Sequence, residues 1–176
     1  MSQKLESPSL DVLISESAIQ QRVRELGRQV SADYHNRELH LVGVLTGAFL
    51  FMADLSRALE ISPVVHFIQA SSYGDSTSSS GNVHLSHALK LAGKHVLVVE
   101  DILDTGLTLA KILQDFRSYN PASLEICTLL NKNRSRTVSI MPKYNGFMIE
   151  DEFVVGYGLD LAGRYRTLPH IAVIQP

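Results

Sequence analysis

The chain has 176 residues, of which 45% are hydrophobic and 19% are charged, the composition of a globular domain and not of a disordered segment. Its formal net charge of −2 gives no electrostatic case for binding nucleic acid or an anionic membrane. The one cysteine, Cys127, excludes an internal disulfide and favours a reducing compartment. Because no apolar run approaches the length of a membrane span and the first twenty residues lack the apolar core of a secretory signal, we expect a soluble cytoplasmic protein.

The first predicted elements are a short strand and a long helix. Residues 11–14 form an apolar strand candidate. Apolar residues then recur at helical spacing over residues 19–34, which predicts a helix with one face packed on a sheet. Ser17, followed three residues later by Gln20, predicts a capping box at the start of this helix.

A strand–turn–helix unit follows. Residues 39–45 are an apolar run that predicts a buried strand, Thr46, Gly47 and Ala48 form a tight turn, and residues 49–59 return to helical spacing. This geometry is typical of an anion site, because backbone N–H groups at the start of a helix are available to a ligand. An ordinary strand–helix connection is the alternative interpretation of the same pattern.

A polar segment interrupts the alternation. A third strand is predicted over residues 63–70, and the segment from Ser71 to Asn82 that follows is rich in serine and glycine. Long loops inside a compact domain tend to be functional lids, so we expect a lid here instead of a linker. Residues 83–91 are predicted to form a strand or hairpin arm.

The stretch from His95 to Thr108 is the centre of the predicted fold. Its apolar run predicts a strand buried on both faces of a parallel sheet, and two adjacent acids, Glu100 and Asp101, end that run. A turn of Asp104, Thr105 and Gly106 then leads into a predicted helix. Open α/β folds bind phosphate groups at such a turn, at the carboxyl end of the sheet. For Asp104 itself two roles remain open, helix N-cap and general base.

The second half of the chain supplies the remaining strands. They are predicted at residues 123–130, 144–149, 153–157 and 171–174, with Asn131 and Lys132 at the carboxyl end of the first. Cys127 lies within that strand, where we expect it to serve packing and not nucleophilic catalysis.

The eleven residues from Val98 to Thr108 resemble a known signature. Their sequence, Val-Val-Glu-Asp-Ile-Leu-Asp-Thr-Gly-Leu-Thr, is similar to the loop that binds phosphoribosyl pyrophosphate (PRPP) in type I phosphoribosyltransferases. It is most similar to the hypoxanthine(-guanine) branch, in which Glu-Asp is followed by two apolar residues and Asp-Thr-Gly. Further motifs extend the resemblance from Gly43 to Arg166. Thr46 and Leu107 depart from the family, which often has a basic residue at each position.

The resemblance implies a fold and a reaction. The fold is α/β, a mainly parallel central sheet flanked by helices, in a single phosphoribosyltransferase domain over residues 1–176. A small hood from the N-terminal and C-terminal segments would cover the base pocket. The reaction is Mg²⁺-dependent purine salvage: hypoxanthine, or either hypoxanthine or guanine, reacts with PRPP to give the nucleoside monophosphate and pyrophosphate, and the resemblance leaves the choice between these bases open.

The resemblance also implies site residues. Asp104 would be the general base that accepts the purine N7 proton. PRPP and its 5′-phosphate would contact the central turn, through Glu100, Asp101, Asp104, Thr105, Gly106, Leu107 and Thr108. Pyrophosphate would meet Thr46, Gly47 and Arg166. The purine would contact Lys132 through its 6-oxo group, Phe153 by stacking and the Val154 backbone. Glu100, Asp101 and Asp160 would hold Mg²⁺, and Ser72 and Tyr73 would belong to the lid.

Two rival functions remain at this stage. One is a transferase of the same fold for another base, such as xanthine or adenine, although Lys132 and Phe153 argue against adenine. The other is a regulatory protein that binds PRPP as a signal; such a regulator should show a clustered basic face, which a net charge of −2 with scattered Lys and Arg does not support. We expect small-molecule partners, no nucleic acid or membrane partner, and a homodimer or homotetramer.

Overall fold

The computed structural model describes residues 9–70, 83–84, 89–133 and 138–175. The predicted lid residues Ser72 and Tyr73 lie outside the described residues. The elements in chain order are β1 (Leu10–Ile14), α1 (Glu16–Asp33), β2 (Leu39–Leu45), α2 (Phe49–Ala58), β3 (Val64–Ala70), β4 (Val83–His84), β5 (His95–Leu103), α3 (Leu107–Arg117), β6 (Ser123–Lys132), β7 (Tyr144–Ile149), β8 (Val154–Val155) and β9 (Ile171–Ile174).

The larger sheet has the strand order β4-β3-β2-β5-β6-β7. Five neighbouring strands, β3, β2, β5, β6 and β7, run parallel, and β4 pairs antiparallel with β3. This confirms the predicted α/β fold with a mainly parallel sheet flanked by helices. The chain passes from β2 to β3 on one side and from β5 to β6 and β7 on the other, so the strand order reverses between β2 and β5. A crevice forms at such a switch point, outside the carboxyl ends of the strands.

The two faces of this sheet carry separate cores. Successive residues of a strand point to opposite faces, so a strand covered on both sides needs a continuous apolar run. The face covered by α1 and α2 buries Leu41, Leu97 and Val99, and the face covered by α3 buries Val42, Val96 and Val98. Burial on both faces explains why the apolar runs of β2 and β5 predicted these strands correctly.

A smaller sheet joins the two ends of the chain. β1 pairs antiparallel with β9, and β8 pairs with the other edge of β9 in the order β1-β9-β8. The strand predicted over residues 153–157 is shorter, because Gly156, Tyr157 and Gly158 all have positive φ and leave the extended conformation. Within the described ranges, no helix combines the length and apolar character needed to cross a membrane.

Candidate active site

A cavity of about 280 Å³ opens at the carboxyl ends of β2 and β5. The strand ends contribute Val44, Leu45 and the acids Glu100 and Asp101 to its lining. The turn after β5 and the first residues of α3 complete the wall, with Asp104, Thr105, Gly106 and Thr108 among them. Most residues predicted for the phosphate turn are therefore brought together in one crevice at the switch point.

The start of α3 forms the floor of the phosphate turn. Gly106 is the N-cap of α3, with a φ of 80°, and the first helical bond runs from Ala110 N–H to the Gly106 carbonyl at 2.8 Å. A Cβ at this position would lie 2.8 Å from Val138 Cγ2, so the turn requires glycine for both conformation and space. Because Gly106 is the N-cap, the N-cap role considered for Asp104 is wrong. A helix start carries partial positive charge, which suits a bound phosphate.

Leu107 and Phe153 are two apolar residues exposed near the predicted site. Leu107 is the first residue of α3 and its side chain is 58% exposed, so it contributes no charge where the related family often has a basic residue. Phe153, immediately before β8, is 55% exposed and therefore accessible to a ligand, whereas Val154 is buried.

Glu100 and Asp101 form a pair of acids in low-dielectric surroundings. Burial raises the pKa of both carboxyls, and the charge of Asp101 further raises the pKa of Glu100 well above its ordinary value. Asp101 Oδ1 accepts a hydrogen bond from Ile102 N–H at 2.8 Å. The two adjacent carboxylates repel each other when both are charged. Together they form a set of hard oxygen donors that suits Mg²⁺.

The turn after β2 packs directly on this acid pair. A Cβ on Gly47 would lie 1.7 Å from Asp101 Oδ2, so the carboxylate rests against the glycine backbone. The Leu45–Thr46 peptide bond is cis, and the Thr46 carbonyl accepts from Phe49 N–H at 3.2 Å as α2 begins. The turn after β2 therefore lies against the second acid of β5, three residues before the turn of Asp104, Thr105 and Gly106.

The segment between β8 and β9 packs against the turn after β2. A Cβ on Gly158 would lie 2.0 Å from the Gly47 carbonyl oxygen. Arg166 donates to the Gly158 carbonyl at 2.5 Å and forms an ion pair with Asp160 at 2.6 Å. The positive charge of Arg166 also acts on Asp101 and partly offsets the upward shift in the pKa of that carboxyl.

Asp160 contacts groups of its own segment. Besides Arg166, its carboxylate accepts from Gly163 N–H at 2.7 Å. Among the residues that the structure describes, no three His, Cys, Asp or Glu side chains come close enough to hold a metal ion by themselves. The predicted set of Glu100, Asp101 and Asp160 is thus divided into an adjacent pair and a third acid bound to arginine.

Lys132 lies beside Asp104. Pairing of Leu103 with Asn131 brings the ends of β5 and β6 together, and Lys132 Nζ is 3.5 Å from Asp104 Oδ2. A second carboxylate, Asp151, lies 3.1 Å from the same ammonium group. Lys132 is buried, so it is not a lysine of the open protein surface. Asp151 was missed from the sequence, although it follows β7, the neighbour of β6, by only two residues.

The fold is that of open α/β proteins, which bind phosphorylated ligands at the switch point of a parallel sheet, and the crevice lies at that point. The family model for a phosphoribosyl transferase domain matches residues 11–161. The chain belongs to the phosphoribosyltransferase family, and its sheet has the type I fold of that family.

Relatives with assigned activities cover nearly the whole chain. A hypoxanthine phosphoribosyltransferase of Escherichia coli K12 is 45% identical over 170 residues, which cover 94% of this chain and 96% of the relative. A hypoxanthine-guanine phosphoribosyltransferase of Bacillus subtilis strain 168 is 44% identical over 167 residues, covering 94% and 93%. A crystal structure of such an enzyme from Bacillus anthracis, with a HEPES molecule in its active site, superposes with a TM-score of 0.88 at 43% identity and covers 96% and 100%.

Proposed function

We propose that this chain is an enzyme that transfers the 5-phosphoribosyl group from PRPP to an oxopurine base, hypoxanthine or guanine, and releases pyrophosphate. The observation that carries the proposal is the 3.5 Å contact of buried Lys132 with Asp104 at the mouth of the phosphate turn. Lys132, a possible donor to a 6-oxo group, is thus a neighbour of Asp104, a possible acceptor of a purine proton. The near-full-length similarity to hypoxanthine and hypoxanthine-guanine phosphoribosyltransferases supports the same reaction.

The phosphate turn would bind the 5′-phosphate of PRPP. Backbone N–H groups at the start of α3 and the hydroxyls of Thr105 and Thr108 offer neutral donors there, and glycine at position 106 lets the backbone approach the ligand closely. Recognition by backbone donors is compatible with apolar Leu107 at the first helical position. Glu100 and Asp101 would accept hydrogen bonds from the ribose hydroxyls.

The turn at Thr46 and Gly47 would bind pyrophosphate, with Arg166 as the neighbouring cation. Arg166 is a planar donor suited to phosphate oxygens, and its ion pair with Asp160 holds it beside Gly158. Glu100 and Asp101 would hold Mg²⁺ together with oxygens of PRPP, and Asp160 would contribute through a water or on rearrangement of its ion pair. Bound Mg²⁺ would offset the negative charge that develops on the leaving pyrophosphate.

The transfer itself would depend on Asp104 and the base pocket. Lys132 would donate to the 6-oxo oxygen, exposed Phe153 would stack on the ring, and the Val154 backbone would bind its far edge. As purine N9 attacks the anomeric carbon and its bond to pyrophosphate breaks, Asp104 would take the proton from N7. Ser72 and Tyr73 are proposed to belong to a lid that keeps water from the electron-poor sugar.

The proposal extends to the hood over the base pocket, the oligomeric state and the location of the enzyme. The sheet β1-β9-β8, which carries Val154, would act as the hood over the base pocket within a single domain of residues 1–176. Apolar Val65 and Phe67 on β3 are 45% and 41% exposed, which supports a homodimer or homotetramer. Buried Cys127 and the lack of any other cysteine fit a cytoplasmic enzyme.

Nucleotide formation from PRPP with hypoxanthine, guanine, xanthine and adenine in parallel tests the proposal. We expect product with hypoxanthine or guanine, and loss of product when EDTA removes divalent cations. Turnover with adenine or xanthine alone would contradict the assigned base. PRPP binding without turnover on any base would favour the regulatory alternative.

A further inference from the structure

A partly buried hydrogen bond connects α2 with the segment that follows β8. The Tyr157 hydroxyl donates to Asp54 Oδ2 at 2.6 Å. Tyr157 is buried, and Asp54 lies on α2, where it also forms an ion pair with Arg57. Neither Tyr157 nor Asp54 lines the cavity at the switch point or belongs to the catalytic set described above.

This bond spans the two segments assigned to pyrophosphate. Asp54 belongs to the helix that begins just after the Thr46–Gly47 turn. Tyr157 directly precedes Gly158, where a Cβ would lie 2.0 Å from the Gly47 carbonyl oxygen. Tyr157 adopts a φ of 47°, in the left-handed region that is costly for a bulky side chain. Its backbone N–H donates to the Leu168 carbonyl at 2.9 Å. An anchored ring therefore stabilises an otherwise unfavourable backbone conformation.

The base side of the site is held by other interactions. Val154 and Val155 pair with Val173 and Ala172 in the smaller sheet, upstream of Tyr157. Downstream of Tyr157, Gly158 and Arg166 are joined by backbone and guanidinium hydrogen bonds, which close the segment on itself but do not fix it to α2. Loss of the Tyr157 bond should therefore release the pyrophosphate side more than the base side.

We propose that Asp54 and Tyr157 are positioning residues for the leaving group: their hydrogen bond holds the segment of Gly158, Asp160 and Arg166 against the Thr46–Gly47 turn in the geometry that binds the pyrophosphate of PRPP. The inference rests on the proposed function and deepens it. Neither residue touches substrate, and both act through Arg166 and the turn.

Tyr157→Phe tests this directly, because it removes the hydroxyl and keeps the ring. We expect KM for PRPP to rise about tenfold while KM for hypoxanthine changes less than twofold, since small displacements of a binding group are costly to a multidentate ligand. Tyr144→Phe is the matched control. Tyr144 is also buried and donates to a carboxylate, Asp33, at 2.6 Å, but it lies at the amino-terminal end of β7, far from the cavity residues in the sheet. It should lower Tm and leave both KM values unchanged.

Asp54→Asn and Asp54→Ala provide a second comparison that does not depend on the folding of the tyrosine variant. Asparagine retains an oxygen that accepts from Tyr157, so its KM for PRPP should stay near that of the wild type, whereas alanine should match Tyr157→Phe. The ion pair with Arg57 is lost in both variants, so it does not explain a difference between them.

The outcomes distinguish a failure of the positioning role from a failure of the proposed function. A Tyr157→Phe variant that loses Tm as the control does, with an unchanged KM for PRPP, would overturn the inference, as would equal rises in both KM values. Equal effects of asparagine and alanine at position 54 would also contradict it. A wild-type chain that forms no nucleotide would instead contradict the proposed function.

Discussion

At the scale of single residues, the site depends on how closely backbone can approach side chain. Gly47 supports Asp101 and Gly158 supports the Gly47 carbonyl, with no space for a Cβ at either position. Gly158 thus packs on Gly47, and Gly47 packs on the Asp101 carboxylate. These contacts join the turn after β2 to the segment after β8, which is distant in sequence. The turn after β2 consequently packs directly on Asp101 at the end of β5.

Gly47→Ala should lower kcat/KM at least tenfold, because a Cβ 1.7 Å from Asp101 Oδ2 must displace the carboxylate or the turn. Steady-state kinetics with PRPP as the varied substrate measure the effect. Gly93→Ala is the control: a Cβ there meets nothing within 4 Å, and alanine at a φ of 69° costs about 1–2 kcal/mol of stability at a position outside the site. Equal activity of the two variants would contradict the close packing at Gly47.

Lys132→Ala should weaken the use of hypoxanthine more than that of PRPP, because a donor to the 6-oxo oxygen is lost; we expect about a tenfold or larger rise in KM for the base. Lys143→Ala is the control, because it removes a lysine–carboxylate ion pair in which Lys143 Nζ lies 3.0 Å from Asp33. It should leave both KM values unchanged. Equal rises for the two substrates in Lys132→Ala would exclude Lys132 from the base pocket.

At the scale of elements, long-range polar contacts fix helices to strands. Arg22 on α1 donates to the carbonyls of Asn145 and Gly146 on β7 at 2.7 and 3.0 Å. At the end of the same helix, Asp33 accepts from Tyr144 and forms an ion pair with Lys143. The apolar face of α1 packs the helix on the sheet, and these polar contacts fix the position of the helix along the edge strand β7.

The Asp33 cluster predicts a dependence of stability on pH. The hydrogen bond from Tyr144 and then that from Lys143 lower the pKa of Asp33 below its ordinary value of 3.8. A lowered pKa in the folded state adds stability above the unfolded value, and this contribution is lost as pH falls through the folded value. Urea unfolding between about pH 5 and pH 2 should therefore show a shallower acid loss in Tyr144→Phe than in the wild type. Parallel curves would contradict the assigned cause.

At the scale of the whole molecule, the sequence predicts those strands and turns that a local pattern of residues determines. Continuous apolar runs identify β2 and β5, and the acid–glycine turn after β5 indicates where we propose that phosphate binds. The start of α1 was predicted wrongly at Ser17: Ser15 is the N-cap, accepting from Ala18 N–H at 3.3 Å, and Gln20 bonds Glu16. Several polar residues satisfy the capping pattern there, so only the helix boundary decides between them.

The contacts between distant segments were beyond sequence reasoning. The bond from Tyr157 to Asp54 joins residues about 100 positions apart, and no periodicity indicates such a pair. Similarly, the ion pair of Arg166 with Asp160 changes the environment of an acid that was predicted to bind metal. Which acids share a site depends on how the segment after β8 folds back over the Gly47 turn.

The assembly of the molecule is tested by sedimentation. We expect a dimer or tetramer, and Val65→Lys should shift it towards monomer because it places a charge on the exposed face of β3. Met141→Lys, at a residue that is 85% exposed elsewhere, should leave the assembly unchanged. A monomeric wild type at micromolar concentration would contradict the proposed oligomer.

The central claim, that Asp104 is the general base of phosphoribosyl transfer, is tested most directly by measuring PRPP binding and turnover on the same preparation of Asp104→Asn. The substitution keeps the size of the side chain and removes the carboxylate. We predict that the Kd for PRPP with Mg²⁺ stays within about threefold of the wild type while kcat with hypoxanthine falls about 100-fold or more. A kcat equal to that of the wild type would contradict the account.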